Sequence, residues 1–294
     1  MKQIGDGVYF VSDTAYATIF VVSDKGVIVV DPLPTLGKAY LQAIAEVTTL
    51  PVTHIIYSHD HLDHIGAAKL FPASAHIIAQ AETRRSLEML HDPRRPVPDI
   101  SFDQTYLLEL GNQQIELFYP GPNHTPGNIF LYLPRQKILM WVDVVYPGYA
   151  PYPKLSVSTD IAGTMAANKK ALDYDFDIFV GGHVDHIGNR KDVETSLAFL
   201  IAVEESARQV LVEKTFPDYL KATGLATTEG IWFAHDDYEK DRTNACYAQL
   251  FPAWEKRLQG LSRSLKSHCW AMLVGLAISL PPATIPASLP GSSK

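Results

Sequence analysis

The feature that most constrains this chain is the stretch Ser58-His59-Asp60-His61-Leu62-Asp63-His64-Ile65-Gly66, which places three imidazoles and two carboxylates within six residues. It follows directly on Val52 to Tyr57, a β-branched run that reads as a buried strand. Packing does not account for such a density of ligand groups. Histidines two apart on extended chain can converge on one cation, while Asp63 and His64, just beyond, can turn toward a second. The spacing H-x-H-x-D-H therefore points to a fold in which a strand ends at a two-metal site.

Three more segments follow in order: Gly121-Pro122-Asn123-His124-Thr125-Pro126-Gly127, then Asp143 after the run Ile138 to Val142, then Gly181-Gly182-His183. With these four motifs, roughly residues 4 to 190 resemble the metallo-β-lactamase-fold hydrolase superfamily. The resemblance implies an α/β fold, a four-layer αββα sandwich, in which His59, His61 and His124 hold one metal. Asp63, His64 and His183 would hold the other, with Asp143 bridging. Asn123 departs from the pattern, standing next to a ligand where a glycine is usual.

The rest of the chain repeats one grammar. Thr18 to Val22, a turn at Ser23-Asp24-Lys25-Gly26 and Val27 to Val30 form a predicted hairpin ending at Asp31; Asn128 to Leu133, Pro134-Arg135-Gln136-Lys137 and Ile138 to Val142 form another ending at Asp143. Such a repeat suits two similar sheets face to face, and it makes Asp31 a residue that orients the histidine loop rather than a ligand. Predicted helices cover Gly37 to Thr48, Ala81 to Leu90 and Ala162 to Leu172. The segment His91 to Ile100 reads as an irregular surface loop.

Residues 1–190 are thus expected to form the catalytic domain and 191–265 a helical C-terminal extension packed on it, with Gly224 to Gly230 as a linker. The extension has the wrong length and pattern for an appended flavin-binding domain, which argues against an oxygen-reducing di-iron enzyme. Residues 266–294, whose apolar run Cys269 to Leu280 ends in prolines, read as a flexible tail. With 294 residues, 47% hydrophobic, the chain can bury a sizeable core as one large domain or one and a half.

Several classes drop out. The net charge is −7 and the basic residues are scattered, so nucleic acid is not a partner. No apolar run reaches 18 residues, so no transmembrane segment is expected. Met1-Lys2-Gln3 runs straight into a turn and first strand without a signal peptide, which favours the cytoplasm, although a removed leader would leave the same start. Cys246 and Cys269 are too few for a disulfide framework and lie outside the metal motifs. A small-molecule substrate is expected, with a homodimer compatible.

Five imidazoles and two carboxylates without thiolate suit two Zn²⁺ per chain and permit Fe or Mn. Two such cations lower the pKa of a shared water, so a metal-bridging hydroxide would attack a carbonyl. Asp63 and Tyr146 are the candidate catalytic residues. Tyr146 stands three residues after Asp143, a spacing similar to that of the superfamily's quorum-quenching lactonases, where such a tyrosine assists at the carbonyl and leaving oxygens. The tyrosine- and proline-rich stretch Tyr146 to Pro153 is expected to line the pocket. The expected reaction is hydrolysis of a small, partly apolar lactone or other ester. The alternatives are a β-lactamase, a glyoxalase II-like thioesterase or a mononuclear iron persulfide dioxygenase.

Overall fold

The computed structural model describes residues 1–278. Contacts divide the chain into two units, Met1–Pro147 with Ser158–Ser196, and Gly148–Val157 with the chain from Leu197.

The first unit holds two sheets. One has seven strands in sequence order: β1 (Lys2–Gly5), β2 (Val8–Ser12), β3 (Ala17–Val22), β4 (Val27–Val30), β5 (Val52–Ile56), β6 (His76–Gln80) and β7 (Ile100–Phe102). Pairing is antiparallel from β1 to β4 and parallel from β4 to β7. The other runs β12-β11-β10-β9-β8, with β8 (Thr105–Leu110), β9 (Gln113–Phe118), β10 (Phe130–Leu133), β11 (Ile138–Trp141) and β12 (Ile178–Val180).

Side chains alternate across each strand, and both faces of both sheets are apolar. Ile19, Val21, Ile28 and Val30 meet Ile115, Leu117, Leu131 and Met140 in the core between the sheets. The opposite face of the first sheet buries Phe20, Val27 and Val29 against Tyr40 and Ile44 of helix Lys38–Ala45 and Leu87 of helix Ala81–Leu90. That of the second buries Phe130, Leu139 and Trp141 against Ala167 and Ala171 of helix Ile161–Ala171. The result is the αββα sandwich. Each of these large apolar side chains contributes about 1.5–3 kcal/mol by burial.

β7 and β8 lie in sequence that carries no clear strand signal. In β8 Tyr106, Leu108 and Leu110 face the core, while Leu107 is an apolar residue on the exposed face, which breaks the apolar-polar alternation in the sequence. The segment before them is pinned rather than free: Arg95 Nη1 donates to the carbonyl of Asp60 at 2.7 Å, and Tyr57 Oη donates to that of Pro96 at 3.3 Å.

The second unit is helical: the end of Arg190–Glu213, then Phe216–Thr223, Thr228–Phe233, His235–Trp254 and Leu261–Ile278. The helix Arg190–Glu213 gives way to the next because Thr215 caps a new one, its hydroxyl accepting from Asp218 N, with Pro217 in the first turn. Part of the expected linker is helical too, started by Thr227 Oγ accepting from Gly230 N.

The tail reading needs correction over 266–278. Leu261, Leu265, Cys269, Met272, Leu273 and Leu276 form one buried stripe at helical spacing, and Cys246 and Cys269 are joined in a disulfide. The stripe is hard to see from Cys269 onward because it begins at Leu261. Residues 279–294 of the expected tail lie outside the described residues.

Gly148–Val157 also differs from a simple pocket-lining loop, because it belongs to this helical unit. Tyr149 bridges to Gln259, and Lys154 to Val157 take four successive left-handed conformations. Such a run survives only when its backbone is held from outside. Ser267 Oγ accepts from Lys154 N at 2.9 Å and His268 Nδ1 accepts from Leu155 N at 3.0 Å. Burial lowers His268 to about 4, so it stays neutral and keeps this acceptor.

Two outcomes are expected. Cys246→Ser/Cys269→Ser opens a loop with a sequence separation of 23, and chain entropy puts the loss near 3 kcal/mol, read as a lower urea midpoint of the helical unit. Deletion from Cys269 onward should cut soluble yield by removing Met272, Leu273 and Leu276 from the core; full soluble expression would contradict the packed stripe.

Candidate metal centre

The ligand motif divides at a change of backbone state. β5 ends at Ile56, His61 is still extended (φ −68°, ψ 140°), and the short helix Leu62–Ile65 starts beyond it. His59 thus comes from the bend that follows β5, His61 from an extended residue, and Asp63 and His64 from a helical turn. The other side chains arrive from the second sheet and the loops at its end. Asp143 follows β11 and His183 follows β12; the turn before His183 needs Gly182, whose φ is +83° and whose Cβ would lie 2.5 Å from Val142.

All seven expected side chains come together, in two groups: His59, His61, His124 and Asp143, and Asp63, His64 and His183. Asp143 faces both. Its Oδ2 lies 3.5, 3.9 and 3.2 Å from His59 Nε2, His61 Nδ1 and His124 Nε2. Its Oδ1 lies 3.1 and 3.0 Å from His64 Nε2 and His183 Nε2. Within the groups, His61 Nδ1 and His124 Nε2 are 3.1 Å apart, and His64 Nε2 and His183 Nε2 are 3.3 Å apart. Ligand atoms about 2.0–2.1 Å from a tetrahedral Zn²⁺ would stand about 3.3 Å from one another. The spacing and the donor set both fit a divalent cation. The buried Nε2 of His59 also has no hydrogen-bond partner in the protein, as a ligand atom requires.

The electrostatics centre on Asp143. Burial alone would push this carboxyl up, but His64 and hydrogen bonds from His124, His183 and His61 outweigh it and hold Asp143 well below the usual carboxylate range. His59 is driven well below 6.5, chiefly by burial, with His64, His61 and His124 adding to it against Asp143. Burial also opposes protonation of His64, yet Asp143, Asp31 and Asp63 prevail and raise it to about 9.

Behind the ligands lies a buried relay. Asp31 accepts from Ser58 N at 2.8 Å and from Ser58 Oγ at 2.6 Å. Ser58 Oγ is 2.8 Å from His59 Nδ1, and since its hydroxyl donates to Asp31 it accepts from that nitrogen, which leaves Nε2 toward the ligand group without a proton. Asp31 Oδ2 also lies 3.8 Å from His64 Nδ1. Burial pushes Asp31 up to about 6 despite His64 and Ser58. Asp31 therefore sits in contact with the histidine loop, outside both ligand groups.

Asn123 has a structural use. Its Nδ2 donates to the carbonyls of Gly121 and Asn128 at 2.9 and 3.0 Å, while its Oδ1 accepts from His124 N at 2.8 Å and Asn128 Nδ2 at 3.0 Å. A glycine could not close this knot beside His124. Tyr146 stacks its ring on His183 at 5.5 Å and donates its hydroxyl to the main-chain oxygen of Asp143 at 3.3 Å. His186 pairs with Asp185 and belongs to neither ligand group.

Sequence reasoning did not find Tyr16. Its hydroxyl donates to Asp63 Oδ2 at 3.2 Å across 47 residues of chain, a contact without local signal. Burial, then the charge of Asp63, pushes the phenol up to about 12, so it remains a donor. Ser86 Oγ and Arg95, which hold the side chain and carbonyl of Asp60, were likewise not identified as supports of the motif.

Residues 12–183 match the metallo-beta-lactamase superfamily, and the chain belongs to that superfamily. It is 30% identical over 191 residues to 2,4-dinitroanisole O-demethylase subunit alpha of Nocardioides sp. (strain JS1661), covering 63% of this chain and 57% of that protein. It is 29% identical to the metallo-beta-lactamase type 2 of Bacillus cereus, over 40% of this chain and 46% of that one. The chain thus spans about half the length of these curated relatives. A metallo-beta-lactamase from Pontibacter korlensis superposes with a TM-score of 0.59 at 21% identity, over 68% of this chain and 97% of that chain. A double mutant of the sec-alkyl sulfatase PisA1 gives a TM-score of 0.62 at 14% identity, over 75% of this chain and 44% of that chain. Both are likenesses of fold.

Because a cation must displace the proton that His64 carries below about 9, apparent metal affinity should rise with pH between 6.5 and 8.5, by up to about tenfold per unit for one proton. Chelator competition at several pH values reads this, and a flat profile would contradict it. In the same assay Asp31→Ala, which frees Ser58 and His59, should weaken binding by about 10- to 100-fold.

Proposed function

We propose that this superfamily hydrolase holds two Zn²⁺ ions and hydrolyses a small, partly apolar lactone or other ester. The observation that carries the reading is the division of Asp143, one oxygen toward each ligand group. His59, His61 and His124 would hold one cation, and Asp63, His64 and His183 the other, with Asp143 between them. When bound, such cations supply Lewis acidity, lowering the pKa of a water ligand and polarising the bond under attack.

The protein's own groups do the rest. Asp143, ionised in its buried place, offers charge to both positions without needing a proton removed. Asp63, more open than Asp143, is the proposed group to orient a water and accept its proton. Tyr146, packed on His183, is the proposed donor to a developing oxyanion or departing alkoxide, exchanging its contact with the Asp143 carbonyl for one with substrate. The tyrosine rings of Tyr16 and Tyr146 on the ligands suit a neutral, partly apolar substrate better than a phosphodiester.

A second reading, cleavage of an activated aryl alkyl ether, is favoured by the length of one match. The relative named for 2,4-dinitroanisole O-demethylation aligns with 63% of this chain, whereas the Bacillus cereus β-lactamase aligns with 40%.

The test is metal analysis of protein purified without added metal, then turnover of a lactone, a β-lactam, a thioester and 2,4-dinitroanisole by the loaded enzyme. Close to two metals per chain with fastest turnover of the lactone is expected; one tightly bound iron with no second site would overturn the dinuclear hydrolase. Tyr146→Phe should keep both metals and lower kcat for the lactone by roughly 10- to 100-fold with little change in KM. An unchanged kcat with chemistry rate-limiting would reduce Tyr146 to a pocket wall.

A further inference from the structure

The segment from Asp13 to Ala17, which enters β3, touches every side chain of the second ligand group. Asp13 Oδ1 accepts from the backbone of Ala15 and Tyr16 at 3.1 and 2.8 Å, closing a tight turn in which Thr14 takes a φ of 79°. That turn is tied to the loop carrying His183 by three contacts. Ala17 N donates to the Gly182 carbonyl at 2.8 Å, Val184 N donates to the Ala15 carbonyl at 3.0 Å, and His183 Nδ1 lies 3.1 Å from that same Ala15 oxygen. A carbonyl can only accept, so the last contact puts a proton on His183 Nδ1 and leaves Nε2 as the nitrogen that faces His64 and Asp143.

Tyr16 completes the frame. Its ring lies 4.5 Å from the imidazole of His183 and meets His64 edge-on at 5.6 Å, while its hydroxyl holds Asp63 Oδ2. Asp63 is the ligand that most needs such help. Its side chain is 46% exposed, whereas those of His64 and His183 are 0% and 18% exposed, so packing does little to fix its carboxylate. In the first ligand group the corresponding support comes from Asp31 and Ser58, which do not involve Tyr16.

We propose that Tyr16 is a positioning residue that preorganises Asp63 and His183, and thereby sets the affinity for one of the two cations independently of the other. The inference rests on the two-cation reading above. Restricting a carboxylate through a hydrogen bond on one oxygen lowers the entropy lost when the cation binds, and supports of this kind typically change metal affinity by about 10- to 100-fold.

The test is a stepwise Co²⁺ titration of metal-free protein, followed by visible absorption and by chelator competition, on wild type and Tyr16→Phe. Tyr16→Phe removes one oxygen and keeps the ring on His183. One binding step should weaken by about 10- to 100-fold while the other stays within about 2-fold, and the thermal midpoint of the metal-free protein should not move. Tyr16→Leu, which also removes the ring contact, should weaken the same step further. Added to Asp63→Ala, Tyr16→Phe should have little further effect, since the carboxylate it acts through is gone.

Two unchanged steps in Tyr16→Phe would overturn the proposal, as would equal weakening of both steps with a lowered thermal midpoint, the mark of a merely structural tyrosine. A single Co²⁺ bound by wild type and variant alike would instead overturn the two-cation reading, and with it the role of Tyr16.

Discussion

The structure of the centre depends on one buried carboxylate among five imidazoles. Asp143 sits within 3.9 Å of a nitrogen of each of the five histidines, and its environment holds it ionised although burial opposes this. Ring nitrogens from different histidines approach to 3.1 and 3.3 Å. Without a shared cation or proton, lone pairs would oppose one another at such distances. The carboxylates gathered there favour positive charge, and against burial they raise His64 to about 9.

The two hairpins explain how such a carboxylate is delivered. β3–β4 ends in Asp31 and β10–β11 ends in Asp143, and both aspartates take left-handed backbone, with φ of 40° and 68°. A non-glycine residue in that region is uncommon and aspartate tolerates it better than most. The turn lifts each carboxylate off its strand at the edge of the sandwich. There the two diverge: Asp143 meets the nitrogens that face the two ligand groups, while Asp31 reaches His59 through Ser58 and lies 3.8 Å from the other ring nitrogen of His64. Equivalent strand ends thus yield a candidate ligand in one sheet and a support for ligands in the other.

Rigidity comes from sources that differ between the ligand groups. Around the first, the Asn123 knot fixes the backbone of His124 and the Asp31–Ser58 relay fixes His59. Around the second, the turn from Asp13 to Ala17 fixes His183 and holds Asp63. These supports come from elements far apart in sequence.

The sequence by itself determined the strand that ends in histidines and, through four motifs that resemble the superfamily, the sandwich and the seven side chains that meet. Those motifs and the hairpin repeat are local signals, written within a few residues of where they act. Only the tertiary structure decided that Tyr16 reaches Asp63, that Asn123 knots its loop, that Cys246 joins Cys269 and that Gly148–Val157 belongs to the helical unit. It also revealed β7, which is three residues long, β8, whose sequence alternation is broken by the exposed Leu107, and the helix to Ile278, whose apolar stripe began before the stretch that read as a tail. The physical reason is common to these cases. A hydrogen bond, disulfide or buried stripe between distant segments leaves little trace at either end, since each residue alone is compatible with many neighbours and the fold selects one.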